Sequence, residues 1–374
     1  MKLQTPKEIH GEPAWSLTSG PVSLSLTKRG GHLGPVAFSL PRNRVVEPYS
    51  KAPWKPKDCE KGTPPILEVL RGDFFCLPFG VSESVPGVHG DPANLSWRLV
   101  KENHTSLTAD LRLRQFPGKI RKIVSLDGES RAVYQEHQIS GLEGAFNYGH
   151  HAILEFPEEG GPYYFNTSPI RFGGIKPPPY DNPPGGEYGA LPSGATFQHL
   201  RRVPTIREGK VDLREYPARE GFEDLVMVSA KPTGFAWTAA TLDGYVWFSL
   251  KDTRDFPSTM MWFSNGGRHS PPWNGLHRRR LGLEEVCSFF SDGLDTSRTE
   301  PLRKKYGVPC TRTFKADETV SLRIVQGVHP VPKNFGMVTD LRPLRGEEAI
   351  LIMNAAGKKI RVPVKWSFLA GLSA

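Results

Sequence analysis

No stretch of this 374-residue chain reaches the roughly eighteen uninterrupted apolar residues that a membrane helix requires, so no membrane partner is expected. The segment Met1 to Trp15 carries charges where a secretory signal is apolar, which points to a cytoplasmic protein. Cysteine is scarce: Cys59, Cys76, Cys287 and Cys310 are scattered with no CxxC pair, which argues against a zinc knuckle or a disulfide framework and for free, mostly buried thiols. There is no metal-spaced cluster and no nucleotide-binding glycine motif, so neither a metal nor a redox cofactor is expected. Signatures of nucleic-acid recognition are missing too. The 48 Lys and Arg against 39 Asp and Glu give a net charge of +9, but the basic clusters at His277–Arg280, Arg303–Lys305 and Lys119–Lys122 are short and far apart. They read as solvated surface, and no nucleic-acid partner is expected.

Helical periodicity is also nearly absent, and strand alternation takes its place. Val22-x-Leu24-x-Leu26 and Leu107-x-Ala109-x-Leu111-x-Leu113 place apolar side chains on one face of a pleated strand. Turn chemistry divides the chain into hairpins at Pro117-Gly118, Asp127-Gly128 and Asp243-Gly244, and near the C-terminus at Gly357. The 38 glycines and 35 prolines supply the many turns that such a fold needs. One short helix is predicted around Thr296–Tyr306, interrupted by Pro301. With 38% hydrophobic residues the chain has enough apolar material for a core. The expectation is an all-β, antiparallel fold with few short helices, a single domain over 1–374. A Pro/Gly-rich loop at about 162–217, with Tyr164, Phe165, Phe172 and Tyr180 in it, is expected to pack against that domain and wall a cleft.

Three segments carry polar groups suited to chemistry. Arg71 begins the apolar run Phe74-Phe75-Cys76-Leu77-Pro78, and His89-Gly90 follows. His150-His151 opens the strand Ala152-Ile153-Leu154. Glu284-Glu285 lies inside Leu281-Gly282-Leu283-Glu284-Glu285-Val286-Cys287. Neighbouring residues of a strand point to opposite faces, so one member of each pair is expected to enter a cleft while the other turns away. Trp262 precedes a polar, glycine-opened loop and reads equally well as core or as a platform for a sugar face. Arg268 in the same loop is a candidate contact for a hydroxyl or an acidic sugar. His32, His269 and His277 lack such a context and read as loop or surface histidines.

Taken together, these segments resemble the galactose mutarotase (aldose 1-epimerase) superfamily. Its members have an Arg before an apolar, Pro-containing strand, a His-Gly with a tryptophan beyond it, a second His opening a strand, and a Glu on a late strand. Gly30-Gly31-His32-Leu33-Gly34-Pro35-Val36 is similar to the family's opening turn, and the likeness spans about residues 20 to 330. It implies a large twisted antiparallel β-sandwich with a sugar in an open cleft. It also implies roles: Arg71 as a sugar contact, His89 as a partner of the ring oxygen, His151 as the acid and Glu284 as the base. The family's Glu is usually followed by proline, which is missing here. The Gly-Leu-Glu approach selects Glu284 and the following Cys-Ser selects Glu285, so Glu284 is preferred and Glu285 is the alternative. The family's further acidic contact has no match, since Asp243 is explained by its hairpin turn.

The implied activity is interconversion of the anomers of a monosaccharide or sugar derivative. It requires removing the anomeric hydroxyl proton while delivering one to the ring oxygen, and a carboxylate and an imidazolium on opposite sides of the ring would suffice. Two other functions fit the same fold. A carbohydrate-binding protein would keep the cleft without turnover, and a polysaccharide lyase or hydrolase relative would normally bring a helical domain, which is not visible in this sequence.

Overall fold

The structure, a computed structural model, describes residues 3–207 and 209–371. Every ladder between its strands is antiparallel, as the hairpin chemistry predicts. One large sheet runs in the order Tyr164–Thr167, Phe235–Leu242, Tyr245–Asp252, Thr319–Pro330, Ala132–Ser140, Lys119–Ser125, Ser106–Arg112 and Arg98–Asn103. A second runs through Thr196–Phe197, Ile170–Ile175, Phe222–Ala230, Ser258–Asn265, Arg280–Cys287, Tyr148–His150 and Phe75–Cys76, with Ile153–Glu155 also paired to Arg280–Cys287. Their facing side chains, Val226, Met261 and Leu283 from one and Ile120, Trp247 and Leu322 from the other, share one core. A five-stranded N-terminal sheet over Lys7–Val46 adds Trp15, Leu24 and Phe38 to it. A three-stranded sheet, Val338–Pro343, Ala349–Asn354 and Lys359–Pro363, covers the outer face of the first sheet through Leu341, Ile350 and Val362. This is a twisted antiparallel β-sandwich.

The helices are three short turns, Pro65–Glu68, Gly293–Arg298 and Arg303–Tyr306, the last two separated around Pro301 as predicted. No helix among the described residues is long and apolar enough to cross a membrane.

The structure departs from the sequence reading at three places. Residues 162–217 are not loop throughout, because Tyr164–Thr167 and Ile170–Ile175 join the two large sheets, one strand in each. The central strands of the second sheet are buried on both faces rather than half-buried, since loops cover the face turned away from the sandwich core. The cluster Lys119–Lys122 is only half surface: strand alternation turns Lys119 outward and Lys122 into the core, where its ammonium donates to Gly31 O at 2.8 Å. Burial lowers that ammonium's pKa to about 8.

Candidate active site

The covered face of the second sheet holds a cavity of about 230 Å³. The strand Arg280–Cys287 forms its floor. Leu281, Leu283 and Glu285 point into the sandwich core, so Glu284 faces the cavity with Gly282 and Val286. Gly282 stands opposite Trp262 in the ladder, and a Cβ there would lie 2.4 Å from Glu284 Oε1 and 3.0 Å from Trp262 Cβ. The glycine therefore makes the room in which the Glu284 carboxyl lies. Glu285 accepts a hydrogen bond from Lys251 Nζ and another from Thr259 Oγ1 at 2.7 Å, fully enclosed between the sheets. Of the two glutamates, Glu284 is the one that faces the cavity.

The histidine pair divides in the same way. His150 turns inward, its Nδ1 2.9 Å from Asp73 Oδ2, and Gln135 donates to the same oxygen at 2.6 Å. His151 turns to the cavity, stacked on Phe74 with ring centroids 4.6 Å apart, its Nε2 3.4 Å from Glu284 Oε1. Neither Glu284 Oε1 nor His151 Nδ1 makes a hydrogen bond among the described residues, although both are buried.

His89 completes the group, its ring centroid 4.9 Å from that of His151 and nearly perpendicular to it. Its backbone is left-handed, with φ of +64°, and two bonds pin it to Gly80: His89 N donates to Gly80 O at 2.9 Å, and Gly80 N donates to His89 Nδ1 at 3.1 Å. Because Nδ1 is an acceptor, Nε2 carries the hydrogen of the neutral ring. Gly90 is required beside it, since a Cβ would stand 2.1 Å from Leu77 O. The His-Gly signal thus has a steric origin.

Burial sets the protonation of these groups. It pushes Glu284 well above the ordinary carboxylate range, and the Asp73 charge adds to the shift. It pushes His151 well below the ordinary imidazole range, with His89 adding to that, and lowers His89 to about 3. Burial therefore favours the uncharged form of each of these groups.

Trp262 forms part of the cavity wall. It lies 5.9 Å from the His151 ring, and its Nε1 donates to Glu223 Oε2 at 2.8 Å. Glu223 also accepts from Ser264 Oγ at 2.7 Å, and burial raises it to about 8. Arg268 lines the cavity beside Trp262, Trp273 and Tyr180, the last supplied by the Pro-rich segment that was expected to wall a cleft.

Several expectations are corrected here. Arg71 does not face the cavity: its guanidinium donates to Ile9 O and His10 O, both at 2.9 Å, and to Val69 O at 3.1 Å. Both of these carbonyls lie at the tight turn His10-Gly11, and Arg71 ties that turn to its own strand. His89, His151 and Glu284 converge, and Arg71 stands outside. His32 and His277 are not surface residues. His32 is fully buried, stacked on the face of Phe74 at 4.3 Å, and His277 stacks on Trp262 at 5.1 Å. His269 is exposed as expected. Nor can carboxyl and imidazole sit on opposite sides of a sugar ring when 3.4 Å separates them. The sequence reading missed Glu223 and Trp273; an acidic residue at the start of the apolar strand Phe222–Ala230 was the one available signal. A larger open groove, about 980 Å³, lies at Arg98, Arg112 and Lys119 and contains none of these groups.

No family model and no curated protein matches the chain. Solved structures do. A putative aldose 1-epimerase from Escherichia coli K12 superposes with a TM-score of 0.57 at 12% identity, covering 86% of this chain and 100% of its own. A galactose mutarotase related enzyme from Lactobacillus acidophilus gives 0.53 at 12% identity, with 85% and 98% covered. An aldose epimerase homologue from C. elegans gives 0.53 at 13% identity, with 86% and 99% covered. At these identities the likeness is one of fold. The antiparallel sandwich and the superpositions agree: the chain has the galactose mutarotase-like fold.

Proposed function

We propose that the protein is an aldose 1-epimerase-like isomerase that interconverts the anomers of a monosaccharide or sugar derivative. The observation that carries this reading is the Glu284–His151 pair, two buried groups 3.4 Å apart that face one cavity, with Glu284 Oε1 and His151 Nδ1 hydrogen-bonded by no described residue. The anomeric hydroxyl and the ring oxygen are bonded to the same carbon, so two adjacent groups can serve both from one side. Glu284 as carboxylate takes the proton of the anomeric hydroxyl. The bond from the anomeric carbon to the ring oxygen breaks, and His151 gives its proton to that oxygen. The open-chain aldehyde turns about its bond to the next carbon, and the reverse transfers close the ring on the other face.

His89 supports the step by donating from Nε2–H to the ring oxygen, because its Nδ1 is held by Gly80. Trp262 offers a flat apolar face to the ring, with the indole fixed by Glu223. Arg268 contacts a substrate oxygen. We read the chain as one domain, since the C-terminal sheet shares a core with the sandwich, and we place it in the reducing cytoplasm, where its four unpaired cysteines remain thiols. NMR anomer exchange over a panel of neutral and anionic aldoses tests the proposal. Exchange faster than the spontaneous rate is expected for at least one sugar, and background rates throughout overturn it.

A further inference from the structure

From the surroundings of Arg268 we infer that the substrate carries a carboxylate, that is, it is a cyclic hemiacetal of the uronic acid type. The inference rests on the epimerase reading for the location of the reacting end and goes beyond it in naming the other end.

Arg268 is mostly buried, its side chain 15% exposed. None of its N–H groups makes a hydrogen bond among the described residues, and Nε has no solvent contact either. Its guanidinium carbon lies 4.6 Å from the ring centre of Tyr180, 4.8 Å from that of Trp273 and 5.8 Å from that of Trp262. These rings hold the plane of the guanidinium without using its donors. The one carboxylate nearby, Glu187 Oε1, stands 3.4 Å from Nε, beyond a good hydrogen bond, and burial together with Asp181 raises the pKa of Glu187 and weakens it as a partner. A cation so placed, with its fork of donors unused, is built for a planar acceptor brought by a ligand.

The choice of carboxylate over phosphate follows from the rest of the wall. Arg268 is the sole Lys or Arg lining the cavity among the described residues. A phosphate monoester carries roughly 1.5 to 2 negative charges near neutral pH and a third oxygen to satisfy. The neighbouring surface of Ile66, Leu70, Leu225 and Met260 supplies neither charge nor donors. A monoanion with two oxygens in a plane is matched by one guanidinium. Trp262 lies within reach of both ends, its ring 5.9 Å from that of His151 and 5.8 Å from the Arg268 guanidinium carbon, so a sugar ring stacked on it joins the acid group to the anomeric centre.

The test compares D-glucuronate with glucuronamide, its neutral analogue of the same shape, and with glucose and glucose 6-phosphate. Anomer exchange is followed by NMR, and binding by quenching of tryptophan fluorescence. The expected result for the wild-type protein is a kcat/KM about tenfold to a hundredfold higher for glucuronate than for glucuronamide or glucose. Arg268→Gln should collapse that ratio, and Arg268→Lys should restore part of it, since it keeps the charge and loses the fork. Equal rates for glucuronate and glucuronamide overturn the inference and need no variant, as does preference for the 6-phosphate. If no sugar is exchanged, the epimerase reading fails by itself, and the binding constants of glucuronate and glucuronamide still decide the carboxylate site: tighter binding of glucuronate supports it and equal binding overturns it.

Discussion

Two faces of the same pair of strands hold the same residue types in opposite circumstances. On the core face Glu285 is bound by Lys251 and Thr259, and His150 by Asp73. On the cavity face, at the adjoining residues, Glu284 and His151 stand 3.4 Å apart, and no described residue hydrogen-bonds Glu284 Oε1 or His151 Nδ1. Burial is nearly complete on both sides, so burial does not distinguish them. What differs is whether the polar atoms are satisfied. A buried carboxylate with its own ammonium is part of the fold, whereas a buried carboxyl with a free oxygen facing a cavity is available to a ligand.

Swapping the histidines breaks this comparison most visibly. His151→Asn should lower anomer exchange about a hundredfold to ten-thousandfold, with little change in melting temperature. His150→Asn should do the reverse: it strips Asp73 of its imidazole and costs about 1–3 kcal/mol of stability, measured by denaturant titration, while the folded fraction keeps its exchange rate. The Asp73 carboxyl, which burial alone would push up, is held below its ordinary range chiefly by His150, so it stays ionised and feels the loss. Gly282→Ala comes next. Its new methyl displaces the end of a flexible side chain, the Glu284 carboxyl, so exchange should fall about tenfold or more in a protein that still folds.

Acid then sharpens the picture. His32 and His89 are held at about 3, and His137, His151 and His277 are also lowered by burial. The folded state therefore binds fewer protons than the unfolded chain below pH 6.5, and the stability these groups contribute above that pH is lost as pH falls toward 3. Glu223, raised to about 8, works oppositely: its contribution is complete below pH 4.5 and is lost as pH rises through 8. Between pH 4.5 and 6.5 the five histidines outweigh Glu223, so for these groups together the melting temperature should be highest near pH 6.5, falling steeply in acid and gently toward pH 8. The smallest effect is expected of Arg71→Met. It should cost about 1–2 kcal/mol by freeing the carbonyls of Ile9 and His10 and leave KM close to wild type, because Arg71 is outside the cavity.

The strands and their turns were legible in the sequence because alternation and Asp-Gly or Pro-Gly turns act locally. So was the opposite facing of His150 and His151, and of Glu284 and Glu285. Alternation alone does not say which member faces the cavity; Gly282 does, because it clears space for one carboxyl. Arg71 was misplaced because its partners lie in the N-terminal hairpin turn, 61 and 62 residues away in sequence. His32 and Lys122 were read as surface because long-range backbone acceptors, Ala93 O and Gly31 O, make their burial possible, and no local pattern announces them. Alternation in Lys119–Ser125, applied to the charges as well as to the apolar residues, would have turned Lys122 inward.

On the proposed mechanism the carboxyl on the cavity face, and not its neighbour, moves the proton. Anomer exchange measured by NMR for Glu284→Gln and Glu285→Gln side by side, each over a range of pH, tests it most directly. The wild-type profile should be bell-shaped, with limbs that belong to the Glu284–His151 pair rather than to either residue. Glu284→Gln should bind sugar, fold normally and exchange at background rate at every pH, because an amide cannot accept the hydroxyl proton. Glu285→Gln should melt earlier, having left the Lys251 ammonium buried without its carboxylate, and should keep the wild-type bell in its folded fraction. Wild-type exchange by Glu284→Gln would contradict the account.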